Sequence, residues 1–171
     1  MVEVTAFSAF TAPMYALDLA YNQITSLDPQ TFSAVRSDSS AWSFSLTNNR
    51  LTRLQKGLFD GPLFSTKTHM YLYSNRINTL ESGCFNGLES LTSLQLSFNQ
   101  ISELPINLLS QLHRLAMLNL DGNLFTSVEG GRFIGLSSLT QLYLSSNSIS
   151  TLENGAFEGL TSLTALDLDD N

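Results

Sequence analysis

Leu91-Thr-Ser-Leu-Gln-Leu-Ser-Phe-Asn99 is the stretch of sequence that decides the fold. Its pattern, LxxLxLxxN, recurs along the chain, and the closing asparagines are Asn22, Asn49, Asn75, Asn99, Asn123, Asn147 and Asn171. The first two intervals are 27 and 26 residues, and every later one is 24. Self-similarity at such a period predicts a repeat architecture in which each unit stacks on its neighbours.

The remainder of each unit is periodic too. Apolar residues follow each asparagine by two and by five positions, for example Ile101 and Leu104 after Asn99. An aromatic ring follows by ten positions, at Phe32, Phe59, Phe85, Phe133 and Phe157, with Leu109 as the exception. Eight of the ten glycines flank this ring position at a distance of two residues. The whole unit therefore repeats, and not the leucines alone.

The full unit, LxxLxLxxNxIxxLxxGxFxGLxx, resembles the typical 24-residue class of leucine-rich repeats, found in cell-surface receptors, adhesion molecules and matrix proteins. The resemblance covers about residues 14–171. It implies an α/β solenoid: a horseshoe with a concave parallel β-sheet of about seven strands and a convex side of turns and short 3₁₀ pieces. We expect residues 1–171 to form one domain, with a degenerate half repeat at 1–13, six repeats at 14–162 and a truncated seventh at 163–171.

Each recurring position of the unit has a physical role. In the LxL strands, inward side chains alternate with outward ones, so one leucine row should include Leu94 and Leu118 and the next Leu96 and Leu120. The asparagine amide can both donate and accept, so it can satisfy backbone groups where the chain turns away from the sheet. The aromatic residues should stack as a spine on the return side.

Two longer units contain insertions. Ala34–Trp42 carries three extra residues and Asp60–Thr68 carries two, and both should bulge where the chain approaches the sheet. They are either contact loops or sequence drift absorbed by a loop. Trp42 is either an exposed anchor or packs against the inserted loop.

The two ends of the sequence favour an internal fragment of a longer protein. Phe7 and Phe10 are spaced as in a shortened half repeat, without the cysteine-knotted cap typical of extracellular relatives, and a seventh strand has no following layer. The alternative is a complete protein with unusual caps.

Composition argues against several partners. The formal net charge is -7, from 8 Lys and Arg against 15 Asp and Glu, and no basic run occurs. A nucleic-acid binder needs clustered cations to displace counterions, so we expect no nucleic acid. No apolar stretch reaches the length of a membrane span, so we expect no direct membrane insertion. Cys84 is the single cysteine, which excludes an intrachain disulfide and a cysteine-rich metal site.

A ligand would lie on the outward positions of the strands. The central repeats place tyrosine, phenylalanine and amides there, although no core packing requires them. The candidate ligand-binding residues are His69, Tyr71, Tyr73, Gln95, Phe98, Met117, Asn119 and Tyr143. Aromatic residues supply much of the energy at protein interfaces, so this composition favours a protein ligand. Exposed strand positions also suit aromatics by propensity alone.

The C-terminal end is acidic, at Asp121, Asp167, Asp169 and Asp170. These carboxylates suit a basic partner or a Ca²⁺ ion, or simply a solvated edge, and we expect no metal. No cofactor motif occurs. The two histidines, His69 and His113, lie far apart in the repeat pattern without a nucleophile and an orienting carboxylate, so we expect no enzyme.

The sequence thus favours a non-catalytic scaffold that recognises a protein ligand on the concave face. The resemblance implies a fragment of a larger cell-surface or secreted protein, and hence an extracellular or cell-surface location. Two alternatives remain open: an intracellular interaction module of a larger signalling protein, for example a kinase-linked one, which the free cysteine favours, and a structural spacer.

Overall fold

A computed structural model describes residues 6, 7, 9, 17–36 and 44–171 of the chain. Ten short strands occur in this part: β1 (Phe44–Ser45), β2 (Arg53–Leu54), β3 (His69–Tyr71), β4 (Thr79–Leu80), β5 (Ser93–Gln95), β6 (Met117–Asn119), β7 (Ser127–Val128), β8 (Gln141–Tyr143), β9 (Thr151–Leu152) and β10 (Ala165–Asp167).

The main sheet has six parallel strands in the order β1-β3-β5-β6-β8-β10, which follows the chain. Asp18 adds a seventh position through an isolated parallel bridge to Ser45. The predicted horseshoe with a parallel sheet of about seven strands is therefore confirmed. Each strand is the LxL segment of one repeat, and the register sets Leu94 beside Leu118 and Leu118 beside Leu142.

The inward side chains of these strands form the core. Phe44, Met70, Leu94, Leu118 and Leu142 make one fully buried row across the sheet. Leu166 continues the row on β10 but is 41% exposed, because the described part of the chain places no layer over it. Burial of a leucine side chain stabilises a fold by roughly 1.5–3 kcal/mol, so this row and its neighbour provide most of the force that holds the stack together.

The asparagines form a ladder that ties each repeat to the one before it. Asn99 Oδ1 accepts a hydrogen bond from the Ile77 backbone N–H at 3.0 Å, and its Nδ2 donates to the Leu72 carbonyl at 3.1 Å. The same Nδ2 lies 3.0 Å from the carbonyl oxygen of Leu96 in its own repeat. This arrangement recurs at Asn49, Asn75, Asn123, Asn147 and Asn171. The expected amide column is confirmed.

The convex side consists of successive overlapping turns. Phe32, Phe59, Phe85 and Phe133 are buried there, and Leu109 fills the same place without a ring. The i to i+3 hydrogen bonds do not follow one another residue by residue, so the described residues contain no 3₁₀ helix. Glycines with positive φ interrupt the runs of turn hydrogen bonds. Gly87 also permits close stacking, because a Cβ there would lie 2.3 Å from the Phe59 carbonyl oxygen.

Two small parallel sheets were not foreseen from the sequence. β2 pairs with β4, and β7 pairs with β9, on the flank that the chain follows after each asparagine. We call this flank, residues one to six after each asparagine, the exit flank. Its strands are only two residues long, which is why alternation within the sequence gave no signal for them.

The second insertion packs inward, contrary to the expected bulge. Leu63, Phe64 and Lys67 are fully buried. The Phe64 ring lies 5.0 Å from the rings of both Phe44 and Phe59, in edge-to-face geometry. The insertion thus fills the core that the longer repeat opens, because its apolar side chains lose exposed area by turning inside.

Most of the first insertion, including Trp42, lies outside the described residues, as does Phe10 of the half repeat. Phe7 is described and stacks on Phe32, with ring centroids 5.5 Å apart.

Candidate ligand-binding face

Two rows of outward side chains run across the centre of the concave face. The first row joins His69, Ser93, Met117 and Gln141, which are register partners on β3, β5, β6 and β8. The second row joins Tyr71, Gln95, Asn119 and Tyr143 in the same way. Neighbouring strands are roughly 4.8 Å apart, so the rows place six of the eight candidate residues on one continuous surface.

The second row extends over all seven repeats, and at some of its positions the side chain makes a structural hydrogen bond. Asp18, Ser45, Asn119 and Asp167 each accept a hydrogen bond from the backbone N–H two residues later, which closes the end of the strand. Asn119 Oδ1, for example, lies 2.9 Å from the Asp121 nitrogen. Tyr71, Gln95 and Tyr143 make no such bond, so their side chains are available for contact. Of the candidate residues, Asn119 is therefore the one with a clear structural task.

The N-terminal part of the surface is aromatic. The ring of Tyr71 lies 6.4 Å from that of His69 and 6.4 Å from that of Tyr73, the latter at an interplanar angle of 80°. His69 Nδ1 contacts the Thr68 hydroxyl at 2.9 Å, which fixes one side of its ring. The three rings thus form one contiguous aromatic group at this end of the surface.

The middle of the surface is polar and polarisable. Gln95 Nε2 lies 3.1 Å from the sulfur of Met117, and the Tyr143 hydroxyl lies 3.3 Å from Gln141 Oε1. Gln95, Met117 and Gln141 line a shallow concavity of about 460 Å³ together with His69 and Tyr71, whereas Tyr143 lies outside its lining. The side chains of Gln95, Met117 and Gln141 are half-buried, so part of each remains open to a ligand.

Phe98 lies beyond its strand, as Tyr73 does, but it differs from the other candidates in its backbone conformation. It precedes the ladder asparagine, has a positive φ of 54° and is 62% exposed. The residue before the asparagine has positive φ in every repeat, at Tyr21, Asn48, Ser74, Phe98, Gly122, Ser146 and Asp170. This backbone conformation gives little signal in the sequence, because only one of the seven positions holds glycine.

Sequence reasoning also missed part of the lining. Thr92, Ala116 and Thr140 border the concavity on the side where the chain approaches each strand. The hydroxyl of Thr92 donates to the Thr68 carbonyl at 3.0 Å, and that of Thr140 donates to Ala116 at 3.0 Å. The signal was present, since a small residue recurs at this position every 24 residues from Thr68 to Thr164.

The acidic end has an internal organisation of its own. Burial raises the pKa of Asp121, a hydrogen bond from the Ser145 backbone at 2.7 Å opposes the rise, and the charge of Asp167 adds to it. The Asp169 backbone N–H, bonded to Asp167, lowers the pKa of Asp167. Among the described residues, no group of three or more His, Cys, Asp or Glu side chains is arranged to hold a metal ion.

The two histidines and Cys84 do not form a nucleophile and base arrangement in the described residues. His113 Nδ1 contacts the Gly135 carbonyl at 3.2 Å, and within the described residues neither imidazole contacts a carboxylate. Burial raises the pKa of the Cys84 thiol to about 12, so this side chain remains a protonated packing residue.

In residues 17–36 and 44–171, no helix is long and apolar enough to span a membrane.

A curved stack of parallel strands with an asparagine ladder defines a class of repeat solenoids. The Leucine rich repeat family matches residues 42–101, 65–125 and 113–171, in overlapping segments that cover most of the chain. The chain belongs to the leucine-rich repeat family.

Three relatives illustrate the similarity. The chain is 40% identical to lumican of Gallus gallus over 77 residues, which is 44% of this chain and 21% of lumican. It is 36% identical over 123 residues to "Leucine-rich repeats and immunoglobulin-like domains protein 1" of Homo sapiens, or 71% of this chain and 11% of that protein. The crystal structure of a TLR13–ssRNA13 complex superposes with a TM-score of 0.75 at 28% identity, covering 98% of this chain and 27% of that one. The chain thus spans a minor part of each relative.

Proposed function

We propose that the chain is a protein-binding scaffold whose concave face recognises a protein ligand through Tyr71, Tyr73, Gln95, Met117 and Tyr143. His69, Phe98 and Asn119 complete the border of this contact surface. One observation carries the proposal. Three of the seven second-row positions carry long side chains, Tyr71, Gln95 and Tyr143, which neither fill the core nor close a strand, in contrast to the short polar residues elsewhere in the row.

Aromatic and amide side chains of this kind favour a protein over a nucleic acid. The described outward positions of the concave strands contain no Lys or Arg, and the net charge of the chain is -7. Binding to phosphates depends on cations that replace counterions. The similar TLR13 structure contains RNA, so a single-stranded RNA oligonucleotide is the appropriate counter-test, and we expect it not to bind.

The setting that we propose is a cell-surface or secreted protein. Similarity to lumican and to a protein with immunoglobulin-like domains supports it, together with the typical class of the repeat. We also infer that residues 1–171 fold as one domain, because the ladder joins every described repeat to the next. No catalytic step is assigned to this domain.

The experiment compares the chain with a concave variant and a matched control. The chain is screened against a panel of purified secreted and cell-surface ectodomains, and the strongest binder is titrated by biolayer interferometry. Tyr71→Ser, Tyr73→Ser and Tyr143→Ser are combined in one variant. The control combines Tyr21→Ser, Ile106→Ser and Ile134→Ser, which removes three exposed apolar side chains away from the central patch.

The proposal expects the concave variant to lose at least about 2 kcal/mol of binding free energy, as buried aromatic anchors do, while the control variant binds as the parent does. Circular dichroism checks that both variants stay folded. Equal binding by the concave variant and the parent would show that the patch is wrong. If the chain binds the RNA oligonucleotide and none of the ectodomains, the proposal that its ligand is a protein is wrong.

A further inference from the structure

The exit flank carries a group of exposed arginines that the concave face does not use. Arg50 and Arg76 each directly follow a ladder asparagine, so they occupy the same position in consecutive repeats. The Arg76 backbone N–H donates to the Leu51 carbonyl at 2.9 Å, which places Arg76 beside Arg50 in the stack. Arg53 lies on β2, next to Thr79 of β4. The sequence showed no basic run, and it is the stacking that brings these cations together.

No carboxylate neutralises these guanidinium groups in the described residues. The ion pair in that part of the chain is Arg132 with Glu129, on a later repeat. Glu81, in the repeat of Arg76, instead accepts a hydrogen bond from the Lys56 backbone N–H at 3.1 Å. The three guanidinium groups are exposed and carry positive charge that no ion pair balances within the described residues, so an anionic partner would meet unpaired donors on this flank.

The patch is confined to two repeats. The position after the asparagine holds Gln23 before the patch and Gln100 after it. The position of Arg53 holds Glu103 two repeats later, and Asp28 lies on the same flank one repeat earlier. No Lys or Arg continues the patch into residues 23–28 or 100–105, where Asp28 and Glu103 carry negative charge, and Glu81 is the one carboxylate on this flank within the patch. A long polyanion laid along the flank would leave the arginines and meet Asp28 or Glu103, whereas a short anionic segment would not.

We propose that Arg50, Arg53 and Arg76 form a second docking site, which binds a short acidic segment of a polypeptide partner. The planar guanidinium group presents its donors in a fork that matches a carboxylate, with two parallel hydrogen bonds. Two or three such forks on neighbouring turns of one flank suit a few consecutive Asp or Glu side chains. The site is separate from the concave face, whose described outward residues contain no cation.

The experiment measures fluorescence anisotropy of a fluorescein-labelled peptide of six glutamates, titrated with the full chain at low ionic strength. The patch variant is Arg50→Gln with Arg76→Gln. The matched control is Arg36→Gln with Arg114→Gln, which removes the same charge from exposed arginines elsewhere. We expect the patch variant to bind about tenfold more weakly, from two exposed ion pairs, and the control variant to bind as the parent does.

A heparin oligosaccharide and a single-stranded DNA oligonucleotide serve as competing probes. Equal weakening by the patch and control variants would show a general charge effect and overturn the site. If heparin or DNA binds more tightly than the peptide, and if that binding depends on the patch arginines, the proposal that the partner is a polypeptide is wrong. Thermal unfolding of both variants checks that they stay folded, and a loss of binding counts against or for the site only in a variant that unfolds at the temperature of the parent.

Discussion

The ring of Phe98 lies over the backbone of Gly122, its counterpart in the next repeat. A Cβ built on Gly122 would lie 2.6 Å from Cδ1 of Phe98, closer than any real contact. Both residues have positive φ, 54° and 61°. The missing side chain at Gly122 thus gives the exposed Phe98 ring a surface to rest on.

Gly122→Ala is expected to destabilise the chain by about 1 kcal/mol, because alanine is strained at positive φ and its methyl group displaces the Phe98 ring. Urea unfolding measures the change. Ser146→Ala is the control, since Ser146 has the same conformation and already carries a Cβ. The cost of Gly122→Ala should fall in a Phe98→Ala background. If the two changes are simply additive, the ring does not rest on Gly122.

Substitution of Asn99 tests the ladder. Asn99→Ala removes the acceptor of the Ile77 N–H and the donor of the Leu72 carbonyl, both buried. Unsatisfied buried polar groups cost about 1–3 kcal/mol each, so we expect a loss of about 3 kcal/mol in the free energy of unfolding. Asn171→Ala removes equivalent bonds at an exposed asparagine, where water replaces them, and should cost far less. Similar losses for both would mean that the ladder is not stabilising through burial.

The sequence determined the parts of the structure that repeat. Seven asparagines and the alternation of each LxL segment were sufficient to predict the strand register, the inward leucine rows and the amide ladder. The outward positions of Tyr71 and Tyr143 followed from the same alternation, because a strand shifted by one residue would bury its polar face.

The features that are unique to one repeat could not be predicted in this way. The inward packing of Phe64 depends on space that opens between two unequal repeats, which no periodicity encodes. Likewise, Arg50 and Arg76 are 26 residues apart in sequence, and only the stack makes them neighbours. The positive φ of Phe98 was hidden because tyrosine, serine and phenylalanine tolerate that conformation when the surrounding turn imposes it.

Phe64→Ala is expected to cost about 4 kcal/mol of unfolding free energy, within the range for buried phenylalanines. Its ring contacts those of Phe32, Phe44 and Phe59, so truncation leaves a cavity shared by several repeats. Phe157→Ala is the matched control, because Phe157 is only half-buried and should cost less. Thermal and urea unfolding both report the difference. A loss below about 1 kcal/mol for Phe64→Ala would show that the insertion is not part of the core.

Asp121 makes the stability of the chain depend on pH in a direction that can be stated beforehand. Burial raises the pKa of Asp121 above its ordinary value of 3.8, so folding favours the protonated carboxyl. The stabilisation of the fold by the protonated Asp121 carboxyl is present in acid and is lost as pH rises through the raised pKa. Asp121→Asn keeps an oxygen for the Ser145 N–H while removing the charge. The variant should therefore be more stable than the parent at neutral pH, and the two should converge in acid.

Asp167→Asn gives the opposite control. The hydrogen bond from Asp169 lowers the pKa of Asp167, so its carboxylate stabilises the fold above its ordinary pKa, and this contribution is lost as pH falls. The Asp167→Asn variant should be less stable than the parent at neutral pH, and its deficit should vanish in acid. Urea midpoints measured from neutral pH into the acid range distinguish the two slopes. Slopes of the same sign for both variants would mean that net charge governs the pH dependence, and not the different surroundings of these two carboxylates.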